Sequence, residues 1–451
     1  MGLFVRDKAF YQKIWRIGVP VAAQQIITVG VNMMDTVMLG RLDETALSAG
    51  SMAVQVHNLF HFMCMGLSMG AGVLIARYWG GEEKKSLQKT LTLMYRSCLL
   101  LIALFTLVVA LAPARVMLLL TPDRAVVAEG VRYLRYALPC FFFYGLSLCT
   151  TNVLRNSGQM HIPLLSSIGA FFINIFFNWV FIFGKLGAPA MGVAGAALGT
   201  LISRIFEFCI ICGFFLWKDK RVGFHLKNLL IPCGDLLPEY LRISLPVMVS
   251  DTLLGVGNSM TVSVAGHIGK TFMSAHTITT VTQQIATVFS SSLGQSAVII
   301  TGNTLGQGDT EKAQNQGITF AALGLMVGII SGGVIVLISP LVVGYYNITA
   351  ETYAVAMELM RSVGVVTVFA VLGSILTKGV LRGGGDTRFL MLADVLFLWV
   401  VSVPLGACAG LVWKLPPFWT FFCLRIDNLL KSLWCLGRLK SGKWIKRIKT
   451  A

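Results

Sequence analysis

Charge of either sign is scarce in this sequence. Asp, Glu, Lys and Arg make up 13% of its 451 residues, and only 20 of these are acids. A soluble chain of this length usually has about a quarter of its residues charged, so a water-soluble multidomain protein is excluded. Several motifs are also missing. There is no Gly-x-x-x-x-Gly-Lys-Ser/Thr phosphate loop, no His-Glu-x-x-His pair and no Gly-x-Ser-x-Gly elbow, so neither ATP hydrolysis nor an intramembrane hydrolase has visible chemistry. No enzyme activity, resident metal or cofactor is expected. No small-residue cleavage site follows the first apolar segment, so no cleavable signal is expected. The ten cysteines do not form a disulfide pattern. Cys64, Cys98, Cys140, Cys149, Cys408 and Cys423 lie inside apolar runs and read as small buried hydrophobes. Cys209-Ile-Ile-Cys212 has redox spacing but falls in such a run too.

What the chain does have is apolar residues, at 55%. Runs near 20 residues recur along its length, long enough to cross a bilayer as helices. Lipid admits only helices or closed barrels, and runs this long exclude a barrel. The expected fold is therefore an all-α polytopic membrane protein in the cell inner or plasma membrane. Twelve spans are predicted: 14–39, 46–79, 90–112, 129–153, 162–184, 190–217, 242–265, 272–304, 314–345, 352–381, 388–413 and 415–437. With both termini cytoplasmic, most of the 37 Lys and Arg residues fall on the inner side, as the positive-inside bias requires. That bias explains the net charge of +17 without nucleic acid.

The longest polar connection runs from Lys218 to Arg242 and divides the chain nearly in half. The halves are alike. "PVAAQQIITVGVNMMDTVMLGRLDETALSAG" from Pro20 aligns without a gap to "PVMVSDTLLGVGNSMTVSVAGHIGKTFMSAH" from Pro246. Asn32 falls on Asn258, Gly40 on Gly266 and Ser48-Ala49 on Ser274-Ala275. After a slip of one residue, "VLRNSGQ" from Val153 falls on "VLRGGGD" from Val380. The expected domains are an N-terminal six-helix lobe (1–217), a cytoplasmic linker (218–241) and a C-terminal six-helix lobe with a basic tail (242–451). Each half has an even number of spans, so the repeats are parallel. Two such lobes around a cleft suit alternating access better than anchoring.

Major facilitator proteins also have six-plus-six spans, but their basic Gly-Asp-Arg loop after span two is replaced here by "ARYWGGEEKKS". The pieces "IGVPVAAQQ", "VNMMDTVMLGRLDETALSAGSMA", "NVLRNSGQ", "FFINIFFNWVFIFG", "MGVAGAALGT" and "GVLRGGGDTR" resemble the multidrug and toxic compound extrusion (MATE) family, in order and in both halves. The resemblance implies two six-helix bundles and drug efflux driven by inward H⁺ or Na⁺ flow. The expected cargo is an amphipathic, often cationic small molecule, and the expected unit is a monomer in lipid.

Few polar residues lie in the spans, and they are the candidates. Asp35 is an acid on a helix with no other charge from Ile17 to Met34. Acids inside a membrane are costly and usually face a working cavity, although a hydrated place at the outer interface would also hold one. Its repeat partner is Thr261, so the fold does not require an acid there. The family carries an essential acid on this helix, and the resemblance gives that role to Asp35. Asn174 and Asn178 share one helix face. Many relatives have Asp at the second of these positions and form a cation site there. An amide at 178 leaves Asp35 alone to neutralise Na⁺, which wants oxygen ligands with compensating charge, whereas one desolvated carboxylate suffices for H⁺, so H⁺ is favoured over Na⁺. Simple helix–helix hydrogen bonding is the other reading of the pair.

Asp251 is a candidate contact for a cationic cargo, or else an acid near the inner face pairing with Arg242. Gln24, Gln284, Asn32 and Asn258 are further candidates for lining the cleft, and the glutamines could instead bridge helices. Arg204 and Glu207 read as a local ion pair, and Arg425 and Asp427 as groups needing separate partners. His57 and His61 are one turn apart without a third ligand. Asn347-Ile-Thr349 matches a glycosylation sequon. The competing reading is a flippase for a lipid-linked intermediate. Its anionic cargo would call for several free cations in the spans, where the sequence offers only Arg204 and Arg425.

Overall fold

A computed structural model describes residues 4–42, 44–346 and 348–446. The sequon's Asn347 and the tail's Arg447 and Lys449 lie outside the described residues. No strand occurs among the described residues. The first half forms α1 (Lys8–Gly40), α2 (Glu44–Gly80), α3 (Lys84–Leu111), α4 (Arg124–Asn156), α5 (His161–Phe183) and α6 (Val193–Lys218). The second half forms α7 (Leu237–Ile268), α8 (Lys270–Gly306), α9 (Thr310–Gly344), α10 (Ala350–Gly383), α11 (Thr387–Val412) and α12, a broken rod made of Pro417–Leu424 and Ile426–Lys440. The twelve expected spans are all present as helices.

Ten of the twelve are long and apolar enough to cross a membrane. The other two depart for local reasons. α7 is diluted by Asp251, Asn258 and several serines and threonines, and α12 breaks at Arg425. Side-chain caps set several starts. Asp123 accepts from Ala125 N at 2.9 Å, Asp309 from Lys312 N at 2.9 Å and Thr349 from Thr352 N at 3.3 Å, each satisfying an otherwise unpaired first-turn amide. Pro20 and Pro246, partners in the repeat, both lie inside their helices. α10 and α11 both contain π-helical turns.

The helices pack into two units. Among the described residues, a C-terminal unit comprises 4–22, 76–83 and 245–446, and an N-terminal unit comprises 23–75 and 84–244. The connection after α6 belongs to the N-terminal unit and is strapped to α3. Gln88 Nε2 donates to Val222 O at 2.7 Å, Thr92 Oγ1 to Asn228 O at 2.8 Å, and Lys89 pairs with Asp235 at 2.5 Å. That ion pair holds the exposed Asp235 carboxyl below its usual range.

α10 runs to Gly383, close to the expected end at 381, and carries Lys378 and Arg382 within it. Arg382 is buried there because an acid faces it, as described next.

Candidate functional site

In the N-terminal unit, small residues bring α5 and α6 together. A Cβ at Gly199 would collide with Asn178 Oδ1, and one at Gly195 with the backbone of Phe181. The bare glycines of "MGVAGAALGT" thus admit the amide face of α5, as small residues do in membrane packing. Asn174 and Asn178 are fully buried on that face. Asn178 Nδ2 donates to Asp35 Oδ1 at 2.5 Å and also lies 3.2 Å from Asn174 Oδ1. Asn174 Nδ2 in turn donates to Thr200 Oγ1 on α6 at 3.4 Å. One hydrogen-bond chain therefore links α6 through the two amides of α5 to the carboxylate on α1. Asn178 Oδ1 is buried and has no hydrogen-bond partner among the described residues, an unusual state for a buried acceptor.

One turn further along α6, Arg204 pairs with Glu207 at 2.7 Å and stacks 4.7 Å above the Tyr144 ring. Tyr144 OH meets His61 Nδ1 at 2.5 Å. His57 stacks on Phe141 rather than joining His61 around a metal.

The C-terminal unit holds a different kind of polar core. Arg382 grips Asp251 with both terminal nitrogens, at 2.9 and 3.1 Å. Lys431 pairs with Asp394 at 3.0 Å, and Ser250 also donates to Asp394. Asp427 accepts from Ser402 at 3.1 Å, and Arg425 donates to Asn258 at 2.7 Å. Asp386 pairs with Arg438 at 2.7 Å.

The two cores are versions of one plan. In the N-terminal unit, Arg155 donates to Gln24, whose amide donates to Ser167 at 2.8 Å. By the repeat register, Arg155 corresponds to Arg382, Gln25 to Asp251, Gln24 to Ser250 and Ser167 to Asp394. In each unit an arginine at the end of the fourth helix reaches the first helix, and that helix reaches the fifth.

Placed against the sequence candidates, Asp35, Asn174 and Asn178 come together as one site. Asp251 lies in the other unit with Arg382, not Arg242, which instead faces Glu239 at 3.7 Å. Gln24 bridges helices through Arg155 and Ser167. Asn32 and Gln284 are exposed, and Asn258 is held by Arg425. Arg204 and Arg425 are not the only cations within the helices: Arg155, Lys378, Arg382 and Lys431 are among the others. Sequence reasoning missed Asp394 entirely, although a lone acid in "MLADVLFLWVV" was signal enough.

The sequence pattern of the MatE family matches residues 20–180 and 246–408. The two matches begin at the prolines that open the internal alignment. Among curated relatives, the "Probable multidrug resistance protein NorM" of Thermotoga maritima is 24% identical over 97% of this chain and 93% of its own length. The multidrug resistance protein NorM of Burkholderia vietnamiensis is 26% identical over 87% and 85%. Among solved structures, a MATE protein in its bent conformation superposes with a TM-score of 0.87 at 19% identity, covering 96% of both chains. An outward-facing multidrug resistance MATE transporter superposes with 0.86 at 20% identity and the same coverage. The fold is shared with these structures, and with the pattern matching both halves, the chain is a multi-pass membrane protein that belongs to the MatE family.

Proposed function

We propose that this protein is a secondary antiporter. It exports amphipathic, often cationic organic compounds by alternating access, in exchange for H⁺ (or Na⁺), with Asp35 as the coupling site. It works as a monomer in the inner or plasma membrane with both termini cytoplasmic. The names of its curated relatives, multidrug resistance proteins, support the cargo class. The observation that carries the coupling role is the contact of Asp35 with Asn178, whose own oxygen is unpartnered.

An amide suits both states of a carboxyl. When Asp35 is ionised, the Asn178 nitrogen donates to it. When Asp35 is protonated it becomes a donor, and the Asn178 oxygen can accept. Taking up a proton also removes the charge that would hold a cationic cargo, so proton and cargo compete for Asp35. A ligand shifts such an equilibrium only by its difference in affinity between the two states. The amides favour H⁺ over Na⁺ because a hard cation wants more than one charged oxygen.

The flippase reading needs free cations for an anionic cargo. Arg382 and Lys431 are each neutralised by an aspartate and Arg204 by Glu207, whereas Arg155 and Arg425 bond the neutral amides of Gln24 and Asn258. The multidrug names of the curated relatives, rather than the cations, favour the antiporter. The test is equilibrium binding of ethidium to purified protein as pH is lowered from mildly alkaline to mildly acidic. Binding is expected to weaken in the parent and to be pH-independent in Asp35→Asn. A flat profile in the parent removes Asp35 as the proton site.

A further inference from the structure

Three thiols meet inside the N-terminal unit, and none of the contacts above uses them. Cys64 comes from α2, Cys98 from α3 and Cys149 from α4, and their sulfurs all lie within 4.8 Å of one another. Each is fully buried, and each is unbridged. Cys64 Sγ and Cys98 Sγ stand 3.9 Å apart, and Cys149 is within hydrogen-bonding reach of both. We propose that these thiols form a three-coordinate site for a soft monovalent metal ion, Cu(I) or Ag(I), which ties α2, α3 and α4 together.

Geometry is the first support. Three sulfurs each about 2.3 Å from an ion at the centre of their triangle stand about 4.0 Å apart. The observed spacing already approximates that triangle, so binding needs small side-chain movements rather than movement of the helices. Ligand chemistry is the second. Thiol sulfur selects soft ions such as Cu(I). The nearby oxygen, Gly145 O, is 3.8 Å from Cys64 Sγ and already faces that thiol. No His, Asp or Glu joins the cluster among the described residues, so a four-coordinate zinc set is not assembled.

The repeat shows that the fold does not demand this cluster. Cys64 corresponds to Ser290 and Cys149 to Leu376, both buried in the other unit. The same helix arrangement therefore packs there without these thiols.

The experiment uses the full chain purified in reducing detergent, with the exposed thiols removed by Cys209→Ser and Cys408→Ser. Cu(I) is supplied from a buffered chelator. One tightly held Cu(I) per chain is expected, with three sulfur neighbours by X-ray absorption and a melting temperature that rises with Cu(I), since a ligand of the folded state stabilises it. Adding Cys64→Ala, Cys98→Ala and Cys149→Ala should abolish both the bound ion and the thermal shift. Equal Cu(I) in that variant, or a parent ion with fewer than three sulfur neighbours, overturns the proposal. The spectrum of the parent decides the matter if the triple variant fails to fold.

Discussion

Asp35 and Asn178 divide the work of one site unequally. The acid carries the charge, and the amide decides what can neutralise it. Asp35→Asn is expected to abolish dye export in cells while membrane expression stays normal, because it removes the carboxylate in contact with Asn178. Resistance equal to the parent would sink the coupling role. Asn178→Asp places a second carboxylate beside the first, which suits Na⁺. Its transport is expected to become Na⁺-dependent at fixed pH, measured as dye efflux with and without a Na⁺ gradient. Asp251 behaves differently, since Arg382 already occupies it. Removing one member of a buried pair costs about 3–5 kcal/mol, so Asp251→Ala should lower the melting temperature in detergent sharply. Asp251→Leu combined with Arg382→Met should recover part of that loss, and a double variant no better than the single one would count against the pair. Spacing alone put Asn174 and Asn178 on one face. It could not reveal the partner of Asp251, because that contact joins residues far apart in sequence.

Helices α5 and α6 can approach closely because they meet through glycine. Gly199 faces Asn178 Oδ1, so Gly199→Ala must push the amide away from Asp35 or separate the helices. Overpacking of this kind costs about 1–3 kcal/mol. Export is expected to fall severely, whereas Gly213→Ala, where an added Cβ meets only Trp217 at ordinary contact distance, should leave export and melting temperature near the parent's. The motif was legible in the sequence as a family feature, but its local purpose was not. The end of α10 was legible to within two residues, but not that the buried Arg382 near it finds Asp251. α12 shows the reverse case. An apolar run suggested one rod, and the chain breaks at Arg425, whose guanidinium leaves the rod to bind Asn258.

Across the whole molecule, one duplicated plan has been given two polar cores. The first is sparser, built of amides around Asp35 with the Arg204–Glu207 pair one turn away. The second is dense in ion pairs, with Asp251–Arg382 and Lys431–Asp394. Uptake of ethidium into inverted vesicles is therefore expected to follow an imposed pH gradient, to be indifferent to an imposed Na⁺ gradient, and to lose its pH response in Asp35→Asn. Uptake that follows only Na⁺ would reverse the choice of ion. By itself the sequence determined that the chain is helical and membrane-spanning, that it is duplicated, and that Asp35 is anomalous. Apolar run length, the repeat register and the cost of an acid in lipid are local or additive properties, readable one residue at a time. The tertiary structure alone decided which polar groups meet: Asn178 with Asp35, Arg382 with Asp251, and the three thiols of α2, α3 and α4 with one another. Such pairings depend on how helices rotate and approach. That is set by packing over many residues at once, and neither spacing nor composition encodes it at any single position.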